Sequence, residues 1–266
     1  MTNDILKCPN CNMVLTCNNN QYVCASGHSF DVSKEGYVNL ILPNKKKTKS
    51  PGDDKEMVVA RANFLNSGFY SALAKEISYF VNKYCRKNSV VLDAGCGTGY
   101  YLNNIGQGFQ KIGIDISKDA IKYAAKNNKQ GLYIVASIFD MPVLDKSIDC
   151  VLNIFAPKPD SELLRVLKNG GIVVEVVPGK NHLIELKKVL YDNVHLNREN
   201  VKEFSLNCIE QKNITYTQNL NNKQLKELFN MTPYGYKTPY HSIDKLKNIG
   251  EIGVTCDFVI KLWVNK

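Results

Sequence analysis

Four side chains near the start of the chain, Cys8, Cys11, Cys24 and His28, restrict its fold more than any other feature. They follow the spacing C-x₂-C-x₁₂-C-x₃-H, an interval that brings three thiolates and one imidazole onto a single zinc ion. All four fall within 21 residues, and Pro9 sits inside the first pair as a turn residue. Three sulfurs and one nitrogen close a tetrahedron and leave no open position, so the spacing predicts a structural metal rather than a catalytic one. Tyr22-Val23-Cys24 and His28-Ser29-Phe30-Asp31 read as short strands around it. Residues 1–37 hold too few apolar side chains to fold alone, so metal binding is expected to supply their folding energy.

The 266 residues suit one enzyme-sized domain beside such a module. Apolar residues make up 44% of the chain, enough for a full core. No run approaches the roughly 20 apolar residues of a membrane span. The opening MTNDILKCPNC has neither the cationic head nor the apolar centre of a secretion signal. Three of the nine cysteines belong to the metal site. The other six, Cys17, Cys85, Cys96, Cys150, Cys208 and Cys256, are scattered, several of them in apolar runs, and read as reduced buried thiols of a cytoplasmic protein. The net charge of +9, from 34 basic and 25 acidic residues, favours a polyanionic partner, with nucleic acid first. A lysine-rich proteome would give the same balance. The run Lys45-Lys46-Lys47-Thr48-Lys49 reads either as a solvated linker or as a phosphate contact.

Residues 38–60 read as a basic connector, ending near the turn Ser50-Pro51-Gly52-Asp53. Residues 61–266 read as the catalytic domain. Helical spacing covers 56–84 and breaks at Ser67-Gly68. From Ser89 onward strands and helices alternate. Strands are expected at Val90–Leu92, Ile112–Asp115, Leu132–Val135, Cys150–Ile154, Ile172–Val177 and Val254–Val264. Helices are expected up to about Asn127 and over Leu163–Leu167, the second stopping at Asn169-Gly170-Gly171. Such alternation predicts an α/β domain with a mostly parallel sheet and helices on both faces.

Asp93-Ala94-Gly95-Cys96-Gly97-Thr98-Gly99 follows the first of these strands and opens a helix. Glycines there let the backbone pass close to a ligand. The loop lacks the G-x-G-x-x-G spacing of a dinucleotide site and the Lys and Ser/Thr of a phosphate loop, which points to a cofactor without phosphates. Its D-x-G-x-G-x-G pattern resembles the signature of class I, Rossmann-like methyltransferases that use S-adenosylmethionine. Asp115 ends the second strand, where a carboxylate can accept bonds from both ribose hydroxyls. Asp140 follows the third strand, where that fold meets the adenine. Taken singly, either aspartate would read as a cap or loop residue.

Longer strings tie the two parts together. Phe30-Asp31-x-x-Lys34-Glu35-Gly36-Tyr37-Val38-Asn39-Leu40 is joined by Pro51-Gly52-Asp53, by Pro178-Gly179-x-x-His182-Leu183-x-Glu185-Leu186 and by Met231-Thr232-Pro233. Across nearly the whole chain these resemble the RlmA group of 23S ribosomal RNA guanine-N1 methyltransferases. The resemblance implies a zinc module for RNA recognition, S-adenosylmethionine as donor, and a hairpin of the large-subunit RNA as partner. It also implies cofactor contacts at Gly97, Thr98, Tyr70 and His182. Thr98 departs from the glutamate that relatives can carry there. By their residue types alone, Tyr70 would be a core aromatic and His182 a residue at a helix start. A group must take the guanine N1 proton, and Asp140 and Asn153 are the candidates. A methyltransferase for another RNA or for a small molecule is the alternative, its zinc module serving structure or homodimer formation. An RNA-binding regulator with a vestigial cofactor fold is opposed by the intact glycines and Asp115.

Overall fold

A computed structural model describes residues 5–45, 51–197, 204–232, 234–238 and 243–265. Lys46, Lys47 and Lys49 of the basic run, and Pro233 of the Met231-Thr232-Pro233 string, lie outside the described residues.

The metal-binding segment is an antiparallel sheet of three strands, β1 (Leu15–Asn18), β2 (Gln21–Cys24) and β3 (Ser29–Asp31). Asn19 and Asn20 join β1 to β2, both in the left-handed region at φ +45° and +62°. That pair is the signature of a two-residue I′ hairpin, whose twist matches its strands.

The second sheet has eight strands in the order β10-β11-β9-β8-β5-β6-β7-β4. They are β4 (Tyr37–Asn39), β5 (Val90–Ala94), β6 (Gln110–Asp115), β7 (Gly131–Val135), β8 (Ile148–Ile154), β9 (Leu167–Pro178), β10 (Asn207–Asn221) and β11 (Glu251–Val264). Pairings from β4 through β9 are parallel, and β11 runs antiparallel to both β9 and β10. Every residue of β5 is buried, as expected of a central parallel strand covered on both faces.

Helices α1 (Lys55–Asn66), α2 (Ser71–Tyr84), α3 (Tyr100–Asn104), α4 (Lys118–Asn127), α5 (Asp160–Val166), α6 (Ile184–Leu190), α7 (Asn222–Met231) and the single turn α8 (Tyr234–Lys237) accompany the sheets. Asp54 caps α1 by accepting the Met57 N–H, and Ser117 caps α4 through the Ala120 N–H. Period-2 alternation divides the core. Val91, Leu152 and Val174 face a layer that includes Phe64, Phe80 and Ile121, from α1, α2 and α4. Leu92, Val151 and Val173 face the opposite layer.

That opposite layer is closed in an unusual way. The connection from β7 to β8, residues 136–147, contains no helix. The zinc knuckle packs there instead, with Leu6, Cys8 and Leu15 buried in one cluster with Leu92, Val143 and Val166. The Lys7 N–H donates to the Pro142 carbonyl at 3.1 Å, and the Leu144 N–H to Ile5 at 2.8 Å. The knuckle thus covers sheet surface that a crossover helix would otherwise cover.

Three features differ from the sequence expectation. The stretch 38–60 contains part of β4, hydrogen-bonded to β7 at the edge of the main sheet, and the start of α1. The long edge strand β10 has no counterpart among the expected strands. The helix expected over Leu163–Leu167 ends at Val166, and β9 already begins at Leu167. Asn169-Gly170-Gly171 is therefore a bulge in β9, between the pairs Ile148↔Leu167 and Cys150↔Ile172. Two bonds with Asn265, from the Gly170 N–H at 2.6 Å and to the Gly171 carbonyl at 2.9 Å, hold it.

Candidate cofactor cavity and zinc centre

A cavity of about 300 Å³ opens at the C-terminal ends of β5, β6 and β8, where parallel sheets of this winding place their ligands. The glycine loop forms its floor. Gly95 sits at φ +90°, and a Cβ there would come within 2.9 Å of Ala156 Cβ, so the loop and the end of β8 approach too closely for a side chain. Gly97, at φ +51°, has only Arg61 Cδ near its missing Cβ, at 3.6 Å, and lines open cavity. Its N–H donates to Asp115 Oδ2 at 2.8 Å. Thr98 also lines the cavity and is buried, while Gly99 caps α3 and packs against Tyr133.

Two aspartates set the electrostatics. Asp115 Oδ1 accepts the Ser117 N–H at 2.8 Å, so each of its oxygens holds one backbone donor and keeps acceptor capacity for a hydroxyl. Burial raises its carboxyl above the ordinary range, against the pull of those two N–H groups. Asp93 is 1% exposed, and its Oδ2 has no hydrogen-bond partner among the described residues. Burial, and then the charge of Asp115, push Asp93 up to about 8. An unpartnered buried carboxylate oxygen on the cavity wall fits a cationic ligand. With Asp115 free to accept hydroxyls, the donor set fits S-adenosylmethionine.

At the other site the ligand atoms of Cys8, Cys11, Cys24 and His28 all lie within 4.8 Å of one another. Cys11 Sγ and Cys24 Sγ are 3.6 Å apart, and His28 Nδ1 is 3.4 Å from Cys24 Sγ and 3.7 Å from Cys8 Sγ. Zinc bonds of about 2.3 Å to sulfur and 2.0–2.1 Å to nitrogen give tetrahedron edges of about this length. The Met13 backbone N–H, with His28 and the neighbouring thiols, lowers Cys11 to about 6, whereas burial raises Cys8. The donor set fits zinc bound through His28 Nδ1.

Residues 6–49 match the family described as RlmA, N-terminal, a zinc ribbon, and residues 85–234 match a methyltransferase domain. YxjB of Bacillus subtilis, provisionally named a 23S rRNA (guanine-N(1)-)-methyltransferase, is 30% identical over 95% of this chain and 94% of its own length. The chain belongs to the RlmA family. The 23S rRNA (guanine(748)-N(1))-methyltransferase of Streptomyces fradiae is 34% identical over 70% of this RlmA chain and 67% of its own. Among solved structures, the YcgJ protein of Bacillus subtilis shares the fold at a TM-score of 0.51 and 17% identity, covering 71% of this chain and 97% of that one.

The remaining expected site residues of this RlmA protein divide into those at the cavity and those apart from it. Tyr70 lines the cavity, and its hydroxyl is 3.4 Å from His182 Nε2. His182 stands behind Tyr70 and is held neutral, lowered to about 4 chiefly by burial. The Asp257 N–H donates to its Nδ1, which leaves the ring proton on Nε2 to donate to Tyr70. Asp140 is exposed and lines a neighbouring cleft with Lys7 and Asn10 of the knuckle, outside the cavity wall. Asn153 is 2% exposed and also off the wall, its Nδ2 donating to the Pro157 carbonyl at 2.9 Å. Its amide ties down the loop after β8 and offers no base.

Two cavity residues of this RlmA chain are missed by motif reading. Arg61 of α1 crosses to Asp53, just before its own helix, at 2.8 Å and to the Met231 carbonyl at the end of α7 at 2.8 Å, which ties two distant segments together at the mouth. Its only sequence signal is the nearby Pro51-Gly52-Asp53 string. Phe155 lines the cavity at φ +52°, a region that costs a bulky side chain on the order of 1–2 kcal/mol. Nothing in the sequence marks it beyond its place before Ala156-Pro157.

Proposed function

We propose that this chain transfers the methyl group of S-adenosylmethionine to N1 of a guanine in a hairpin of 23S ribosomal RNA. One observation carries the reading: a cavity with Asp93 and Asp115 on its wall shares a chain with a Cys₃His knuckle. The Streptomyces fradiae relative is named for this reaction, which supports the choice of base and atom.

The bound donor supplies an electrophilic methyl carbon on a sulfonium, so the protein's task is to bind, orient and exclude water. Asp115 takes the ribose hydroxyls with the acceptor capacity left by Gly97 and Ser117. Asp93 faces the cationic end, whose charge favours its ionised form. Arg61 supplies a cation at the mouth for a carboxylate. Tyr70, fixed by neutral His182, and Tyr101 wall the site with aromatic surface. Each withdraws water from the reacting centre and strengthens the electrostatics inside it.

The knuckle and the net charge of +9 supply a polyanion-facing surface. Among the described residues no helix is long and apolar enough to cross a membrane. Of the six cysteines outside the knuckle, Cys96, Cys150 and Cys256 are buried, Cys85 is half-buried, and Cys17 and Cys208 are exposed, contrary to the expectation that all six are buried. All six are free thiols, which supports a reducing, cytoplasmic setting. Homodimer formation is carried forward as part of the proposal, to be read from the mass of the purified protein in solution.

N1 methylation removes a Watson–Crick donor and blocks reverse transcription. Incubating the protein with donor and unmodified 23S RNA should give one new primer-extension stop, located in a hairpin loop. Stops in a different RNA, or turnover of a small molecule alone, would favour the alternative substrates.

A further inference from the structure

Phe155 combines three properties that packing does not explain. Its side chain is 41% exposed although large and apolar. Its backbone lies at φ +52°, where such a residue is an outlier. It lines the cavity at the C-terminal end of β8. The strain is held from two sides. The Phe155 N–H donates to the Val176 carbonyl of β9 at 3.0 Å, and two residues on the Asn153 amide pins Pro157. Backbone held this way against its preference clusters at functional sites.

The ring has a rigid backing. Its centroid lies 5.7 Å from that of Phe258, 6.4 Å from Tyr101 and 6.3 Å from His182, the last with the ring planes only 14° apart. Phe258 is fully buried, and His182 is fixed by Asp257 and Tyr70. An aromatic plane is therefore braced from below and left open toward the cavity.

Its place relative to the donor follows from the proposed function, on which this inference rests. Asp115 at the end of β6 takes the ribose, and Ser137 and Phe139, after β7, line the side beyond it. The transferable methyl must then lie toward β5 and β8, beside Phe155. A guanine that leaves its stack to reach that methyl exposes two apolar faces and needs a flat surface to fix its plane. We propose that the Phe155 ring is that platform, stacking on the target base so that N1 points at the methyl carbon. Holding the ring forward into the cavity is what the left-handed backbone achieves.

Steady-state methylation of an unmodified 23S RNA transcript tests this with Phe155→Leu, Phe155→Tyr and Phe155→Trp. Leu keeps bulk and apolarity but has no ring face. Base–aromatic stacking predicts a loss of about tenfold or more in kcat/KM for Leu, with Tyr and Trp within about threefold of wild type. S-adenosylmethionine affinity by calorimetry should stay within about threefold in all three, which separates base positioning from collapse of the cavity. The chain has one tryptophan, Trp263, which is buried, so Phe155→Trp adds a single exposed reporter. Its fluorescence should be quenched when the transcript binds. If wild type methylates the transcript and Leu does so equally well, or the Trp reporter is unmoved by RNA, the platform is overturned and the function stands. Absence of RNA methylation by wild type overturns the function, and the platform with it.

Discussion

The zinc knuckle and the cofactor cavity are built on different scales. The four metal ligands lie within 21 residues, and one tight turn, closed by the Lys7–Val14 bridge, together with the β2–β3 turn suffices to converge them. The cavity wall runs from Gly52 to Met231, and it exists only once the sheet has been assembled. Yet the two share one core, because Leu6, Cys8 and Leu15 cover the sheet face where the β7–β8 connection has no helix. A locally specified module thus acts as a packing element for a site specified over long range. Metal loss should be felt throughout the molecule, whereas damage to the cavity should leave the knuckle untouched.

The largest effect is expected from Cys24→Ser. Structural zinc in small modules contributes about 10 kcal/mol or more of folding free energy. The variant should lose zinc by metal analysis and melt at least about 10 °C lower, with exposed apolar surface beneath the sheet. An unchanged melting curve with the zinc gone would show that the knuckle does not brace the domain.

Gly97→Arg reverses the comparison. A side chain at φ +51° that fills open cavity should weaken S-adenosylmethionine binding by about 100-fold, or about 2.7 kcal/mol. Zinc content should stay at one ion per chain. Undiminished cofactor binding would place the donor elsewhere.

Asp93→Asn gives a smaller effect with a defined pH dependence. The folded carboxyl titrates near 8, above the ordinary aspartate value of 3.8. The folded state therefore binds more protons than the unfolded state between those values, and the contribution of Asp93 to stability is lost as pH rises through that window. Without donor, the Asn variant should melt above wild type at pH 8 and level with it near pH 4. Parallel pH profiles would mean that Asp93 is already ionised in the empty cavity.

Tyr70→Phe should change least. It removes one buried hydroxyl from His182 Nε2, a loss of about 1 kcal/mol in stability by denaturant titration. A loss several times larger would mean that the pair holds the cavity rather than finishing it.

What could be read from the sequence follows the same division of scale. The ligand spacing and the Asp93–Gly99 loop each constrain a few neighbouring residues, and both folded as their patterns imply. Strands β5 to β9 were legible as apolar runs. Strand β10 was not, because its apolar residues Ile209, Ile214, Tyr216 and Leu220 are diluted along an exposed edge. Strand β4 is three residues long, and only its pairing with β7 makes it part of the sheet. Asp140 shows why a loop can be located while its side chains cannot: the turn after β7, closed by the Asp140 N–H on the Ser137 carbonyl, carries that carboxylate to the knuckle side. Arg61 and Phe155 needed the tertiary structure, since the partners that aim them lie on α7, β9 and β11.

The most direct measurement is the nucleoside composition of 23S RNA after reaction with isotope-labelled S-adenosylmethionine. Digestion and mass spectrometry should find the label in N1-methylguanine alone, at no more than one residue per RNA molecule. Label on a ribose, on a base carbon or on another base, or no label on RNA from zinc-replete protein that binds the donor, would contradict the proposed reaction.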